Sequence, residues 1–420
     1  MAPGTLLLNT GEENTATGAG ALLSNTSGVQ NTANGGFALF SNTDGCCNTA
    51  TGYQALNHNT VGGHNTATGF VALNQNTTGS ENTALGEEAL FSNTEGVNNT
   101  ATGSLALVLN TNGSFNTANG SNSLLANTTG SYNTASGYSA LSNNSGSSNT
   151  ASGYSALSSN SGDNNTATGV AALQGNGVGR YNTANGFQTL YNNTSGSINT
   201  AIGDGALYHN TTGTGNVALG GNAGAFVTTG RNNVYIGYQM SGVADESNAC
   251  YIASIFGQTS VSGVPVFINS VNKLGTATSS KRFKEDIQPM DKSSEALLAL
   301  KPVRFRYKKE IDPAGRPQFG LVAEEVEKIN PELVVRDKDG KPYTVRYDQV
   351  NAMLLNEFLK EHKRVQAQQA TISELKSTVA QQKKGMEVLT AQLKEQAAAL
   401  QKVSDQLEMN RPAPHLVVNP

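Results

Sequence analysis

The sequence predicts a mainly β protein with some α: a β-solenoid, then a small α+β domain, then a C-terminal parallel coiled coil. Three observations carry that reading. A 17-residue repeat fills the first half of the chain, the charge density changes abruptly near residue 236, and an unbroken heptad runs from Phe358.

The repeat comes first. Asparagines opening Asn-Thr-Ala-x-Gly fall at 14, 31, 48, 65, 82, 99, 116, 133, 149, 165, 182 and 199, with degenerate copies at Asn216 and Asn233. The step is 17 and slips to 16 only twice, after 133 and after 149. A helical solenoid needs a 3.6-residue apolar period and few glycines, and this unit has neither. A turn of β-solenoid fits: glycine supplies corners of positive φ, alanine and leucine (Ala55-Leu56) a thin core, and asparagine and threonine in register form ladders between rungs. Strict spacing argues against a disordered low-complexity tract. At roughly 4.8 Å per rung the stack would measure about 65 Å. Asn-x-Thr/Ser triplets sit at fixed repeat positions and are not read as glycosylation signals. The Asn-Thr-Ala-x-Gly units resemble the heads of trimeric autotransporter adhesins, which implies a trimeric β-roll, although the unit length differs from the commonest head repeats. Gly4–Glu13 reads as the second half of a repeat, so the array is expected to begin inside a unit and the chain to be a fragment lacking an attachment region.

Charge separates two materials. Met1 to Ile236 holds nine acidic residues, two arginines (Arg180 and Arg231) and no lysine, whereas the remainder holds 22 acidic and 25 basic residues. A net charge of −4 without a basic stripe excludes nucleic acid as an expected partner. No apolar run reaches the roughly 18 residues of a spanning helix, so membrane insertion is not expected either. The start of the chain lacks the charged region of a secretion signal. Three cysteines make no disulfide framework; Cys46, Cys47 and Cys250 are expected to fill small slots. No cofactor loop or metal cluster stands out, so neither cofactor nor metal is expected.

The domains expected are a repeat array at 1–235, a β-rich neck at 236–278, an α+β domain at 279–357, a coiled coil at 358–409 and a disordered tail at 410–420. Within the α+β domain an amphipathic helix is expected at 291–300. A half-buried strand follows at Val303–Tyr307, then a helix after Phe319–Val326 with Val322, Val326 and Ile329 on its apolar face. Leu333–Val335 and Tyr343–Val345 flank Asp339-Gly340 as a hairpin. Asp337 and Asp339 lack the other ligands of a calcium loop.

Ser279, Arg282, Lys284 and Ile287, then Leu300-Lys301-Pro302 with Tyr307, then Gly320–Val326, then Tyr347 closely resemble the intramolecular chaperone auto-processing domain. That domain ends phage tail fibres, tailspikes and endosialidases, and occurs in myelin regulatory factor. The resemblance covers about 279–365. The family's opening pattern is Ser-Asp-x-Arg-x-Lys; here Ser280 stands where aspartate is usual, which leaves two candidate nucleophiles, and the offset to Lys284 prefers Ser279. The resemblance implies autoproteolysis of the Thr278–Ser279 bond by a Ser279–Lys284 dyad after trimer assembly, with Arg282, Gly320, Glu324 and Tyr347 as supporting motif residues. Serine needs a base to take its proton, and lysine serves only when neutral, which burial or nearby positive charge such as Lys281 and Arg282 favours. Spacing alone favours reading Ser279 as a helix cap beside a solvated basic run, because Ser-x4-Lys is common, and the matching motifs reverse that. Glu324 and Glu325 are adjacent on a helix and point apart, so they are read as structural.

The heptad places Phe358, Val365, Ile372, Val379, Met386, Leu393, Leu400 and Leu407 on one seam and Gln368, Leu375, Gln382, Leu389, Gln396 and Val403 on the other. Both resemblances imply a homotrimer; the core pattern itself fits two or three strands. The function expected is a tail-fibre or surface-adhesin protein on a phage virion or bacterial surface. Its C-terminal domain would trimerise the chain, assist folding and autocleave once as a serine endopeptidase, with no activity on external substrates. The alternative is an uncleaved trimeric fibre whose C-terminal domain is only a clamp. Flat Asn/Thr-rich faces would meet a cell-surface glycan or receptor.

Overall fold

A computed structural model of the chain describes residues 9–258 and 260–411. The chain divides into two compact units, Met1–Thr259 and Ser260–Pro420. The start of the array expected at Gly4 and most of the tail expected to be disordered, 412–420, lie outside the described residues.

The first unit is a single-chain β-solenoid. Each motif Thr-Ala-x is a three-residue strand from Thr15–Thr17 onward, and with the degenerate copies Val217–Leu219, Val234–Ile236 and Cys250–Ile252 fifteen strands form one parallel sheet in sequence order. The register is the repeat itself: Thr49 lies against Thr66, Ala50 against Ala67 and Thr51 against Thr68. The stack runs one strand beyond the last Asn-opened copy, since Cys250–Ile252 pairs with Val234–Ile236. The alanine and leucine columns, such as Ala50, Ala55 and Leu56, are fully buried within this one chain.

The asparagines correct the expectation of polar faces, because most of them are inside. The motif asparagine repeats as a ladder: Asn48 N–H donates to Asn31 Oδ1 at 3.0 Å, and Asn48 Nδ2 reaches the Gly62 carbonyl at 2.9 Å. A second ladder runs beside it. Asn59 Nδ2 donates to Asn42 Oδ1 at 2.7 Å and to that same Gly62 carbonyl at 2.9 Å. Buried amides are tolerated because nearly every one is paired. Asn122 Oδ1 and Asn210 Oδ1 are exceptions, and the second has a visible cause: Val227 takes the next place in its column, so Asn210 Oδ1 is left without a partner.

The two 16-residue steps lose their residue at one place. Elsewhere the ladder asparagine bonds a glycine carbonyl three residues on, as Asn127 does with Gly130. Asn144 and Asn160 bond Gly146 and Gly162, two residues on. Both ladders pass through the shortened turns intact, as Asn144 Nδ2 donates to Asn127 Oδ1 at 2.9 Å.

Glycine corners are only part of the backbone's demand. Gly52 holds φ +135°, and a Cβ there would sit 2.2 Å from the Gly69 carbonyl oxygen. Yet Gln54, Leu56 and His64 also take left-handed φ, at 53°, 52° and 59°. The core leucine of every complete turn adopts this region at a cost of roughly 1–2 kcal/mol, offset by its burial. At the C-terminal end the core changes size in step: Gly224 stands in the leucine column and Tyr235 in the alanine column. Tyr235 is fully buried and stacks on Tyr251, with ring centroids 5.6 Å apart.

The second unit holds a hairpin of Val266–Ile268 with Leu274–Thr276, a strand pair of Val303–Phe305 with Gln318–Gly320, and the expected hairpin as Val334–Arg336 with Pro342–Val345. Helix α1 spans Ala323–Ile329 and buries Val326. The amphipathic helix expected at 291–300 is a 3-10 helix, Asp291–Ala299. Helix α2 runs unbroken over Tyr347–Met409, so helix begins ahead of the predicted heptad and extends roughly 95 Å at 1.5 Å per residue. A small core gathers Val326, Leu333, Val334, Val345, Val350 and Met353.

Candidate functional site

Thr278, Ser279 and Ser280 are exposed and lead into a 3-10 turn, Lys281–Phe283. The residue ahead of that turn is Ser280, and its side chain makes no capping hydrogen bond, so the helix-cap alternative for Ser279 has no support here. Phe283 N–H donates to the Ser280 carbonyl at 3.0 Å and Lys284 N–H to the Lys281 carbonyl at 3.1 Å. This reversal brings Lys284 Nζ to 3.5 Å from Ser279 Oγ, the outer limit of a hydrogen bond. Among the described residues no hydrogen bond joins Lys284 to the Ser280 side chain. Arg282 does not extend toward the serine's partner: its guanidinium lies over the Phe283 ring, 4.6 Å from the centroid. Lys284 itself is exposed in the single chain.

Gly320 and Tyr347 come together, and the reason for the glycine is steric. The Tyr347 hydroxyl accepts from the Leu321 N–H at 3.0 Å, and a Cβ on Gly320 would stand 2.9 Å from that oxygen and 3.3 Å from the Phe305 ring. Glu324 and Glu325 begin α1. Glu325 pairs with Lys328 at 2.7 Å, a contact that holds its carboxyl below the usual carboxylate range. Among the described residues, neither group is hydrogen-bonded to Ser279 or Lys284.

Residues 279–335 match the family described as chaperone of endosialidase. The match begins at Ser279, the proposed first residue after the cut, and ends inside the hairpin strand Val334–Arg336. It leaves the solenoid and most of α2 outside. No curated protein and no solved structure matches the chain.

One polar cluster in the chaperone unit escaped the sequence reading. Ser294 is fully buried, and its hydroxyl donates to the Glu357 carboxylate. Asn356 Nδ2 donates to Ser294 Oγ at 2.7 Å and to the Asp291 carbonyl at 3.2 Å, while Lys360 Nζ meets Glu357 Oε1 at 2.7 Å. This clasp pins the 3-10 helix Asp291–Ala299 to α2. Ser294 lies more than sixty residues from its three partners on α2, and nothing in local spacing announces the contact.

A chaperone-of-endosialidase segment after a β-solenoid fits a tail-fibre-like protein. Among the described residues no helix is long and apolar enough to cross a membrane.

Proposed function

We propose that this chain is a homotrimeric fibre or adhesin whose C-terminal unit assembles three copies, assists their folding and then severs itself between Thr278 and Ser279. The observation that carries the cleavage reading is the approach of Lys284 Nζ to Ser279 Oγ at the first residue of the chaperone match. In the reaction Lys284, as the neutral amine, takes the hydroxyl proton while Ser279 Oγ bonds to the Thr278 carbonyl carbon. The C–N bond breaks, the proton passes to the Ser279 nitrogen, and water hydrolyses the resulting ester. One turnover on its own chain leaves the fibre separated from its chaperone and held by a kinetic barrier to unfolding.

Trimerisation is supported by what one chain leaves uncovered. Along α2 Leu393 is 65 % exposed, Leu400 70 % and Leu407 67 %. Apolar residues at heptad spacing on one long helix are buried when helices wind together as a coiled coil. A cell-surface glycan or receptor is the partner such a fibre would meet, on a virion or cell surface.

The second reading, an uncut trimeric clamp, is favoured by the exposure of Lys284 and the length of its contact in one chain. Intact mass and a denaturing gel decide between them, on purified wild type beside Ser279→Ala, Ser280→Ala and Lys284→Ala. Wild type splitting after Thr278, with Ser279→Ala and Lys284→Ala whole, upholds self-cleavage. If only Ser280→Ala blocks the cut, the nucleophile moves by one residue. A wild type that stays full length and trimeric leaves the clamp.

A further inference from the structure

The cysteines do not fill core slots. Cys46 and Cys47 are half-buried at the solenoid surface, and His64 stands exposed one turn on. Their ligand atoms, two Sγ and one imidazole nitrogen, all lie within 4.8 Å of one another, and among the described residues this is the only such cluster. The repeat explains the convergence. Cys47 and His64 hold the same place in successive turns, both in the left-handed region with φ 62° and 59°, and the His64 N–H donates to the Cys46 carbonyl at 3.0 Å. Two residues separated by 17 positions are thereby stacked as neighbours. Gly63 completes the arrangement: it lies over Cys46, and a Cβ there would come 3.6 Å from Cys46 Sγ and 3.2 Å from its carbonyl oxygen. Other turns carry Val29-Gln30, Ser80-Glu81 or Val97-Asn98 at these two places, so the donor set belongs to this pair of turns alone.

We propose that Cys46, Cys47 and His64 form a binding site for a thiophilic divalent cation, zinc foremost, on the outside of the solenoid. Two thiolates and an imidazole suit zinc and exclude calcium or magnesium, which take oxygen ligands. Binding releases two protons, one from each thiol, as the two metal–sulfur bonds form. Tetrahedral zinc has a fourth position, and an oxygen donor is at hand: Gln30 Oε1 lies 3.5 Å from Cys47 Sγ. Its amide is oriented by Nε2, which donates to Glu13 Oε2 at 3.0 Å. The metal would bridge two successive turns from outside.

The test titrates cobalt(II) into the purified full chain under a non-coordinating reductant and follows the thiolate-to-cobalt charge-transfer absorption, then displaces the cobalt with zinc. Wild type and Cys250→Ser are expected to give the band at one equivalent. Cys46→Ser and Cys47→Ser are expected to lose it, and His64→Ala to bind at least about tenfold more weakly, the scale of disrupted metal sites. Circular dichroism of each variant checks that the solenoid is retained; these are surface positions. A wild type without the band, a band that disappears with Cys250→Ser, or one that survives Cys46→Ser and Cys47→Ser together overturns the proposal.

Discussion

The two units solve the burial problem in opposite ways. In the solenoid, the one core leucine of each turn from Leu22 to Leu207 and the strand alanines from Ala33 to Ala218 are covered by neighbouring turns of the same chain. In the C-terminal unit the closed core is six residues, while Phe319 is 81 % exposed, Phe358 67 % and Leu298 76 %. A repeat that stacks on itself supplies its own partners, since each turn is the template for the next. A long helix with an apolar seam has none within its chain. Under the proposed function the comparison locates the need for assembly: the solenoid, as fibre shaft, covers its own core once wound, and the C-terminal unit, as foot, is the part whose apolar seam other copies would cover.

Breaking the seam should give the largest effect. Replacing both Leu393 and Leu400 by lysine puts charges at two heptad core positions, and sedimentation should show the proposed trimer lost altogether. The same sample should keep the far-ultraviolet β signal of the solenoid. If that signal vanishes as well, the shaft cannot form without the foot, and the self-sufficiency argued above describes its end state only.

A break placed in the other unit should act in reverse. Gly52→Ala forces a Cβ to 2.2 Å from the Gly69 carbonyl at φ +135°, two independent violations. Together they should cost about 3 kcal/mol or more, read as a fall in the β unfolding midpoint. The helical signal of α2 should not move. A midpoint within error of wild type would mean that the turns can shift apart without penalty.

Much of this contrast was legible beforehand, and the remainder failed for identifiable reasons. The period of 17 predicted stacking, register and the Ala-Leu core because identical residues meet identical residues in a solenoid. It predicted the asparagine ladders but put Asn-rich faces outside, whereas here Asn48 and Asn59 share the Gly62 carbonyl and are satisfied inside. It assigned corners of positive φ to glycine, which holds for Gly52, and gave no sign that Leu56 takes a left-handed φ that its own propensity opposes. At the site, the spacing of Ser279 and Lys284 allowed an approach, and the intervening 3-10 turn brings them to 3.5 Å. The clasp of Ser294, Asn356, Glu357 and Lys360 was invisible because tertiary packing alone brings it together.

A pH series sharpens the comparison with the smallest expected effects, at opposite ends of the scale. Burial pushes the Tyr235 hydroxyl up to about 12, helped by the neighbouring Glu246 carboxylate. A folded value above the unfolded one near 10 gives stability that is complete below pH 10 and fades as pH climbs toward 12. The loss there should approach about 3 kcal/mol and should fall on the solenoid. Tyr235→Phe should remove most of it, leaving the smaller part that belongs to Tyr251, whose hydroxyl donates to the Glu246 carboxylate and is raised by it. In the foot the sign is reversed. The Lys360 ammonium and the Ser294 hydroxyl hold the Glu357 carboxyl below its ordinary range, so its contribution is present above the unfolded value near 4.5 and is lost as pH falls through the lowered folded value. Amide exchange over Asp291–Ala299 should therefore quicken in acid while the solenoid, with nine acidic residues up to Ile236, holds its protection. Glu357→Gln should show the faster exchange already at neutral pH. If acid instead opens the shaft first, then carboxylates such as Asp44, whose hydrogen bonds from Ser27 and Thr43 hold it below its ordinary range, carry more of the shaft's stability than its buried asparagine ladders do.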